Sequence, residues 1–270
     1  MKKAAGKVYL IGAGPGDPKL LTIKAAEALA ASDAIVYDFL VNPEVLAHTR
    51  RGAELVFAGK RAGETSLSQR EINQILIDRA RGGQIVARLK GGDPFIFGRG
   101  GEEAEALADA GIEWEVIPGI SSGVAAAAYA GIPLTFRDYS SSVAFFSGHD
   151  GVGKLRPATD WRAAGRAADT LVIFMCAGTI SRIARELIAG GRPGATPLVL
   201  VRWGTYEYQE VYSGTLEDIA AFDRDDAPVD PPAIAIVGDV VSLRGKLHWF
   251  GRRELEFQLQ AQPIAAAVRA

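Results

Sequence analysis

Hydrophobic and polar residues follow two periods in the first half of the chain. Short runs rich in valine, isoleucine and phenylalanine predict buried strands, and the segments between them have the apolar spacing of helices. The predicted strands are VYLIG, AIVYD, ELVFAG, IVARLKG and WEVIPG, and the predicted helices are LLTIKAAEALAAS, QREINQILIDRARGG and GEEAEALADAG. The second helix opens after Ser68 with Glu71 three residues on, a capping box. This alternation predicts an α/β fold with helices on both faces of a sheet.

The pattern changes in the second half. The segments VAFFSG, TLVIFM, PLVLVRWG, QEVYSGTL and PAIAIVGDVVSL predict strands, with one strong helix, TISRIARELIAGG, between them. We predict two α/β domains, over residues 1–138 and 139–250, with a ligand cleft between them. Residues 151–168 and 222–232 have the composition of loops, and residues 251–270 are expected to form a poorly anchored tail.

Composition limits the class of partner. The chain has 270 residues, 48% of them hydrophobic, and a net charge of −2 spread along its length. It can bury a substantial core, and it offers no overall attraction to nucleic acid or to an anionic membrane. Its longest apolar stretches are shorter than the about 20 residues that cross a bilayer. We expect a small-molecule partner, no nucleic acid and no membrane.

The single cysteine, Cys176, cannot form an internal disulfide. The chain also lacks the spaced cysteine and histidine ligands of a zinc site, so we expect no metal. A reducing cytoplasm fits this cysteine usage best.

The first glycine-rich motif, IGAGPGDP at residues 11–18, follows a strand and precedes a helix. It imitates the start of a dinucleotide-binding fingerprint, and Asp38 ends the next strand, near where that fold places its ribose-binding acid. However, Asp17 replaces the third glycine, and Pro15 and Pro18 lack the N–H groups that a pyrophosphate needs. A phosphate cradle is therefore disfavoured. A tight turn without a ligand stays open.

The second motif, RLKGGDPFIFGRGGEE at residues 88–103, runs from a strand through two glycine pairs into a helix. Glycines at a strand end let a ligand lie against bare backbone, and Asp93 could accept hydrogen bonds from a ribose or an amine. Two such loops at strand ends of one sheet favour a nucleoside ligand. The alternative is that the glycines serve only loop packing.

Several ordered motifs resemble the tetrapyrrole methylases, specifically the uroporphyrinogen-III C-methyltransferases. They are IGAGPGDPKLLTIKAAEAL, YDFLVNPEVL, GKRAG with QREINQIL, VARLKGGDPFIFGRGGEEAEAL, VIPGISS, YAGIPLTFRDYSSSV, GHD and RGKLHWF. The resemblance implies a homodimer of two-domain α/β chains with S-adenosylmethionine in the cleft between domains. It also implies two successive methyl transfers to uroporphyrinogen III, which give precorrin-2 for sirohaem or cobalamin and S-adenosylhomocysteine as by-product.

The resemblance carries site residues onto this sequence. It implies that Asp38 is a proton acceptor and Lys60 a proton donor. It implies cofactor contacts at Pro15, Gly91, Gly92, Asp93, Ile96, Ser121, Ser122, Met175 and Gly204.

The chemistry needs few catalytic groups. Methyl transfer from a sulfonium is an in-line displacement, so the protein mainly orients the acceptor carbon. The methylated pyrrole becomes cationic and must lose a proton, which Asp38 at a strand end could accept. A capping or salt-bridging role for Asp38 is the alternative.

The substrate carries carboxylates around its macrocycle, and the planar fork of arginine suits carboxylates. We expect Arg61, Arg99 and Arg137 to contact them. The alternative for each is a pair with a neighbouring acid.

Other function classes stay open at this point. Within the fold they are a later corrin-ring methyltransferase, a diphthine synthase and a ribosomal-RNA methyltransferase. Outside it they are a sensor that binds S-adenosylmethionine without turnover, and a nicotinamide oxidoreductase, which the two prolines disfavour.

Overall fold

The computed structural model describes residues 6–59, 67–149, 159–222 and 229–251, and the backbone of the strand at 254–256. The chain forms two compact units. The first unit contains the chain up to Leu134, together with Trp203–Gln209 and Leu247–Gly251. The second contains Thr135–Arg202, Glu210–Lys246 and the strand at 254–256. The division between Leu134 and Thr135 lies four residues before the boundary predicted after residue 138.

The first unit is built on a five-stranded parallel sheet. Its strands are β1 (Lys7–Gly12), β2 (Ala34–Tyr37), β3 (Glu54–Phe57), β4 (Ile85–Lys90) and β5 (Glu113–Ile117). They lie in the order β3-β2-β4-β1-β5. Strand β4 therefore lies between β1 and β2, which differs from the 3-2-1-4-5-6 order of dinucleotide-binding folds. Both loops that carry the glycine-rich motifs thus leave neighbouring strands at the same edge.

Within residues 6–59 and 67–134, the α-helices of this unit are α1 (Ile23–Ala31), α2 (Gln69–Arg81), α3 (Gly100–Asp109) and α4 (Ser122–Tyr129). The capping box at the start of α2 is confirmed, because the N–H of Ser68 donates to Glu71 Oε2 at 2.7 Å and the N–H of Glu71 donates to Ser68 Oγ at 3.3 Å. The 3-10 turn Pro18–Leu20 precedes α1, so this helix begins later than predicted.

Helices pack on both faces of this sheet, as predicted. One core joins the sheet to α2 and α3, and includes Val8, Leu10, Val36, Ile72, Leu76, Val86 and Leu107. The other joins it to α1, and includes Ile11, Ala25, Leu29, Ile35, Leu89 and Ile117. A parallel sheet covered on both faces needs the continuous apolar strands seen in the sequence.

The second unit is built on a mixed six-stranded sheet. Its strands are β6 (Val143–Ser147), β7 (Thr170–Phe174), β8 (Pro197–Arg202), β9 (Glu210–Thr215), β10 (Ala233–Val237) and β11 (Glu254–Glu256). They lie in the order β11-β9-β8-β10-β7-β6, parallel at the two ends and antiparallel between β9 and β7. Helix α6 (Ile180–Ala189) packs with the short helix α7 (Leu216–Ala220) against its core.

Several local predictions for this half were wrong. A short helix, α5 (Trp161–Ala164), begins after the capping residue Asp160 inside the stretch predicted as a loop. The last predicted strand ends at Val237 and continues as the 3-10 turn Asp239–Leu243 and helix α8 (Arg244–Leu247). Within the region predicted as a tail, the described strand β11 pairs with β9.

Candidate active site

The loops after β1 and β4 lie side by side at the carboxyl edge of the first sheet. The N–H of Gly92 donates to the carbonyl of Gly14 at 2.7 Å, and the N–H of Gly14 donates to the carbonyl of Gly92 at 3.2 Å. Both residues have positive φ, +79° at Gly14 and +68° at Gly92. Glycine adopts this backbone region without steric cost, so the bridge explains why both positions are glycine.

A third loop, after β5, packs against the same bridge. A Cβ on Gly12 would lie 2.5 Å from the backbone N of Gly119 and 2.6 Å from the carbonyl O of Gly92. A Cβ on Gly119 would lie 2.3 Å from that same oxygen. Close backbone packing therefore requires glycine at Gly12 and Gly119. Their packing joins the carboxyl ends of three strands into one surface of bare backbone.

Asp93 ties two of these loops together. Its Oδ1 accepts a hydrogen bond from the N–H of Phe95 at 2.8 Å, and its Oδ2 accepts one from the N–H of Gly119 at 3.1 Å. Each carboxylate oxygen can accept a further hydrogen bond, so the side chain keeps capacity for a ligand. Asp93 thus organises the loop on which it was predicted to bind the cofactor.

Ser121 and Ser122 lie where the β5 loop enters α4. Ser121 is the N-cap residue but its side chain makes no capping hydrogen bond. Its Oγ is buried and has no hydrogen-bond partner among the described residues. Burying a hydroxyl without a partner costs free energy, so the position favours a polar ligand group that would supply one.

Asp38, at the end of β2, belongs to a cluster of four charged side chains with Arg88, Lys90 and Glu103, which we call the β4 charge cluster. Arg88 Nη2 lies 2.6 Å from Asp38 Oδ1, and Lys90 Nζ lies 3.6 Å from Asp38 Oδ2. Glu103 Oε1 lies 2.9 Å from both Arg88 Nε and Lys90 Nζ. The salt-bridging alternative for Asp38 is therefore observed, on a carboxylate whose side chain stays 29% exposed.

Burial sets the electrostatics of this cluster. Arg88, Lys90 and Glu103 are buried, while Asp38 is only partly so. Burial, and then repulsion by Arg88, lowers the pKa of Lys90. Burial also opposes the charge on Arg88, but the attraction of Glu103 and Asp38 outweighs it and raises the pKa of the guanidinium. Asp38 is the member of the cluster that a solute can reach.

Gly204 lies in the loop between β8 and β9, which belongs to the first unit. Both its neighbours have positive φ, +49° at Trp203 and +74° at Thr205. Thr205 is buried, its Oγ1 accepts a hydrogen bond from the N–H of Asp17 at 2.9 Å, and its own N–H donates to Gln209 Oε1 at 2.8 Å. The predicted cofactor residue Gly204 is therefore held next to the first glycine-rich loop, which contains Pro15.

The same loop contacts the end of α4. Tyr129 Oη donates to Asp17 Oδ2 at 2.9 Å, and Gln209 Nε2 donates to the carbonyl of Tyr129 at 3.3 Å. The ring of Tyr129 packs against Trp249 and Phe250, with centroids 5.0 and 4.7 Å away. The RGKLHWF segment therefore ends against a residue that binds the first glycine-rich loop.

The remaining predicted residues are exposed or lie outside the described residues. Ile96 is exposed in the β4 loop. Met175 belongs to the second unit, directly follows β7 with φ +52° and is 51% exposed. Arg99 is exposed and forms a two-pronged pair with Glu102, at 2.9 and 2.7 Å. Arg137 is exposed in the second unit. Lys60 and Arg61 lie outside the described residues.

A family model described as Tetrapyrrole (Corrin/Porphyrin) Methylases matches residues 7–220, which contain all the site residues above up to Gly204. The chain belongs to the tetrapyrrole methylases.

This methylase is 44% identical to Uroporphyrinogen-III C-methyltransferase of Bacillus subtilis (strain 168), over 97% of this chain and 100% of that protein. It is 45% identical to a siroheme synthase of Sodalis glossinidius (strain morsitans), over 97% of this chain and 55% of that protein. The chain thus spans about half the length of that siroheme synthase. Its fold matches the solved uroporphyrin-III C-methyl transferase of Thermus thermophilus complexed with S-adenyl homocysteine, with a TM-score of 0.75 and 39% identity over 88% of this chain and 100% of that chain.

The buried members of the methylase's charge cluster, Arg88, Lys90 and Glu103, were not predicted from the sequence. Arg88 and Lys90 are two residues apart in β4 and so face the same side of the sheet. Two cations on one face of a buried strand, with an acid in the following helix, are a signal that could have identified the cluster. Thr205 and Tyr129 had no comparable signal, because their partners lie far away in sequence.

Within the described part of the chain, His, Cys, Asp and Glu side chains form no group that could hold a metal ion. Its helices include none with both the length and the apolar content to cross a membrane.

Proposed function

We propose that this chain uses S-adenosylmethionine to methylate ring carbons of uroporphyrinogen III twice, giving precorrin-2 for sirohaem or cobalamin. The observation that carries this proposal is the match to the Bacillus subtilis enzyme, which extends over 97% of this chain and the whole of that protein. The relative named siroheme synthase supports the tetrapyrrole branch of metabolism.

The described residues fit the cofactor. S-adenosylmethionine would supply the methyl group as an electrophile on sulfur. In this proposal Pro15, Gly91, Gly92 and Asp93 line one side of it, with Ile96, Ser122, Met175 and Gly204 as further contacts. Support comes from the surface of bare backbone at the three strand ends and from the buried hydroxyl of Ser121, which has no partner among the described residues.

Asp38 is proposed as the group that accepts the proton lost by the methylated ring. It pairs with Arg88 and Lys90 and remains partly exposed, so a substrate can reach its carboxylate. Lys60 is proposed as the proton donor on the strength of the family resemblance.

Arg61, Arg99 and Arg137 are proposed to bind substrate carboxylates. Arg99 would then exchange its pair with Glu102 for a substrate carboxylate, at little cost because both side chains are more than half exposed.

A cytoplasmic homodimer is part of the same proposal. The family resemblance supports the dimer. The cytoplasm is supported by the lone cysteine, Cys176, which is buried and whose pKa burial raises to about 12, so it is an inert thiol. The molar mass in solution from light scattering tests the dimer.

The decisive experiment incubates the purified protein with methyl-labelled S-adenosylmethionine and uroporphyrinogen III under anaerobic conditions. We expect two labels in each tetrapyrrole. Bound cofactor without transfer would favour a sensor, and transfer only to later corrin intermediates would replace the proposed substrate.

A further inference from the structure

The β4 charge cluster carries an inference about how Asp38 is made into a base. Arg88 and Lys90 are 2% and 3% exposed, and Glu103 is fully buried. Removing three charges from water costs free energy that the ion pairs only partly return, and apolar side chains of similar size would often be as stable or more stable. The neighbouring core is apolar, so stability alone does not account for the cluster.

The geometry fixes the Asp38 carboxylate from two directions. Its Oδ1 faces Arg88 Nη2 at 2.6 Å and its Oδ2 faces Lys90 Nζ at 3.6 Å. The guanidinium of Arg88 is itself held, since Nε pairs with Glu103 and Nη1 donates to the carbonyl of Val36 at 3.4 Å. The carboxylate therefore has a set orientation at the end of β2.

Glu103 balances the two cations. It approaches both through one oxygen, Oε1, which also accepts a hydrogen bond from the uncharged amide of Gln69 in α2 at 3.1 Å. Its Oε2 is buried and has no hydrogen-bond partner among the described residues. Among those residues, the charged groups that pair directly in the cluster come from β4 and α3 and sum with Asp38 to zero. The exposed pair of Arg99 and Glu102 beside them interacts with Glu103 and Lys90 and adds one charge of each sign.

We propose that Arg88, Lys90 and Glu103 are positioning residues that orient Asp38 and set its strength as the proton acceptor of the methyl transfer. The inference rests on the proposed function. The two cations keep Asp38 ionised, and Glu103 offsets them so that the carboxylate stays basic enough to accept the ring proton. In that step the C–H bond of the methylated ring breaks, its electron pair returns to the ring, and the proton binds a carboxylate oxygen of Asp38.

The balance of charges around Asp38 predicts that two variants shift the pH–rate profile in opposite directions. Lys90→Met removes a cation beside Asp38, so protonation of the carboxylate becomes easier and the acid limb of the pH–rate profile moves to higher pH. Glu103→Gln leaves two cations facing one carboxylate, so the acid limb moves to lower pH. Opposite or like charges within about 4–6 Å shift titrations by roughly one to three pH units. We expect shifts near the lower end of that range.

The test measures kcat and kcat/KM against pH for the wild type, Lys90→Met and Glu103→Gln. The matched controls are Lys24→Met and Glu113→Gln, which remove exposed ion pairs with Glu115 and Lys7. At pH 7 we expect each cluster variant to lower kcat about tenfold with KM changed less than about twofold, because Lys90→Met costs Asp38 its orientation and Glu103→Gln costs it basicity. Lys90→Arg, which restores the cation, should return the acid limb toward the wild-type position.

The results distinguish a failure of the positioning role from a failure of the proposed methyl-transfer function. A wild type that transfers methyl groups, with acid limbs that stay in place or move in the same direction in both variants, would overturn the positioning role. A wild type that transfers none would overturn the proposed function, and this inference with it. Thermal unfolding and S-adenosylhomocysteine affinity are measured alongside, and if Glu103→Gln does not fold, Lys90→Met with its arginine rescue still decides.

Discussion

Thr205 binds Asp17 across 188 residues of sequence: its Oγ1 accepts a hydrogen bond from the Asp17 N–H at 2.9 Å. A β-branched residue with φ +74° is strained, and such strain persists only where the surroundings impose it. Here two side-chain hydrogen bonds impose it, the second from the Thr205 N–H to Gln209. The strained residue immediately follows Gly204, a proposed cofactor contact.

Two substitutions test the role of the Thr205 hydroxyl: valine removes it and serine keeps it. Thr205→Val keeps the shape but removes the acceptor for the Asp17 N–H, so we expect about 1–3 kcal/mol lower stability. S-adenosylhomocysteine affinity should fall about tenfold because the loop that carries Gly204 loosens. Thr205→Ser should keep both properties. The control Thr49→Val removes a comparable hydrogen bond, to the carbonyl of Leu46, and an equal loss of affinity there would contradict a specific role.

Tyr129 gives a prediction about pH. Its partial burial, and then its hydrogen bond to Asp17, raises its pKa above 10.0. A group whose pKa is raised by folding stabilises the protein fully below its unfolded pKa and loses that contribution as pH rises through the folded pKa. We expect Tyr129→Phe to lower the free energy of unfolding by about 1–2 kcal/mol at pH 7. That difference should shrink above pH 10, which urea titrations at pH 7 to 11 would measure. A difference that grows with pH would contradict the hydrogen-bond explanation.

The requirement for glycine at position 12 can be tested by adding a Cβ atom that would clash with neighbouring backbone. An alanine there would bring Cβ to 2.5 Å from Gly119 N and 2.6 Å from Gly92 O, and neither backbone can move without disturbing β4 or β5. We expect Gly12→Ala to lower stability by about 3 kcal/mol or more and to weaken cofactor binding. Gly101 is the control, because nothing lies within 4 Å of its Cβ position in α3, and alanine should stabilise that helix by roughly 0.5–1 kcal/mol. Calorimetry on both variants decides, and a Gly12→Ala protein as stable as the wild type would refute the packing argument.

The helices and strands that were predicted correctly have signals within short stretches of sequence. The capping box of Ser68 and Glu71 lies within four residues, and it starts α2 where expected. Continuous apolar runs identified the buried strands, because a parallel sheet covered on both faces leaves no polar side. The family motifs identified the fold, which the family model and the solved structures confirm.

Long-range relationships account for what was missed. The order β3-β2-β4-β1-β5 brings the end of β4 between β1 and β2, and the pairing of β4 with β2 puts Arg88 and Lys90 beside Asp38. Gly204 was predicted as part of the second domain, but hydrogen bonds of Thr205 and Gln209 hold its loop in the first unit. No period or motif in the sequence encodes these partners.

A substitution at Ser121 should change cofactor affinity while leaving the stability of the protein nearly unchanged. Its Oγ is buried and has no partner among the described residues, so it adds nothing to the fold that a methyl group would not. Removing an unsatisfied polar group is close to neutral or stabilising, so Ser121→Ala should change the free energy of unfolding of the ligand-free protein by less than about 0.5 kcal/mol. If the hydroxyl binds the cofactor, the same change should weaken S-adenosylhomocysteine binding about five- to tenfold, because one hydrogen bond is worth about 1 kcal/mol.

The control Ser242→Ala removes an exposed hydroxyl that donates to the carbonyl of Asp239 and should leave the affinity unchanged. Titration calorimetry would measure both affinities, and an unaltered affinity in Ser121→Ala would remove this residue from the cofactor site, since its hydroxyl has no partner among the described residues.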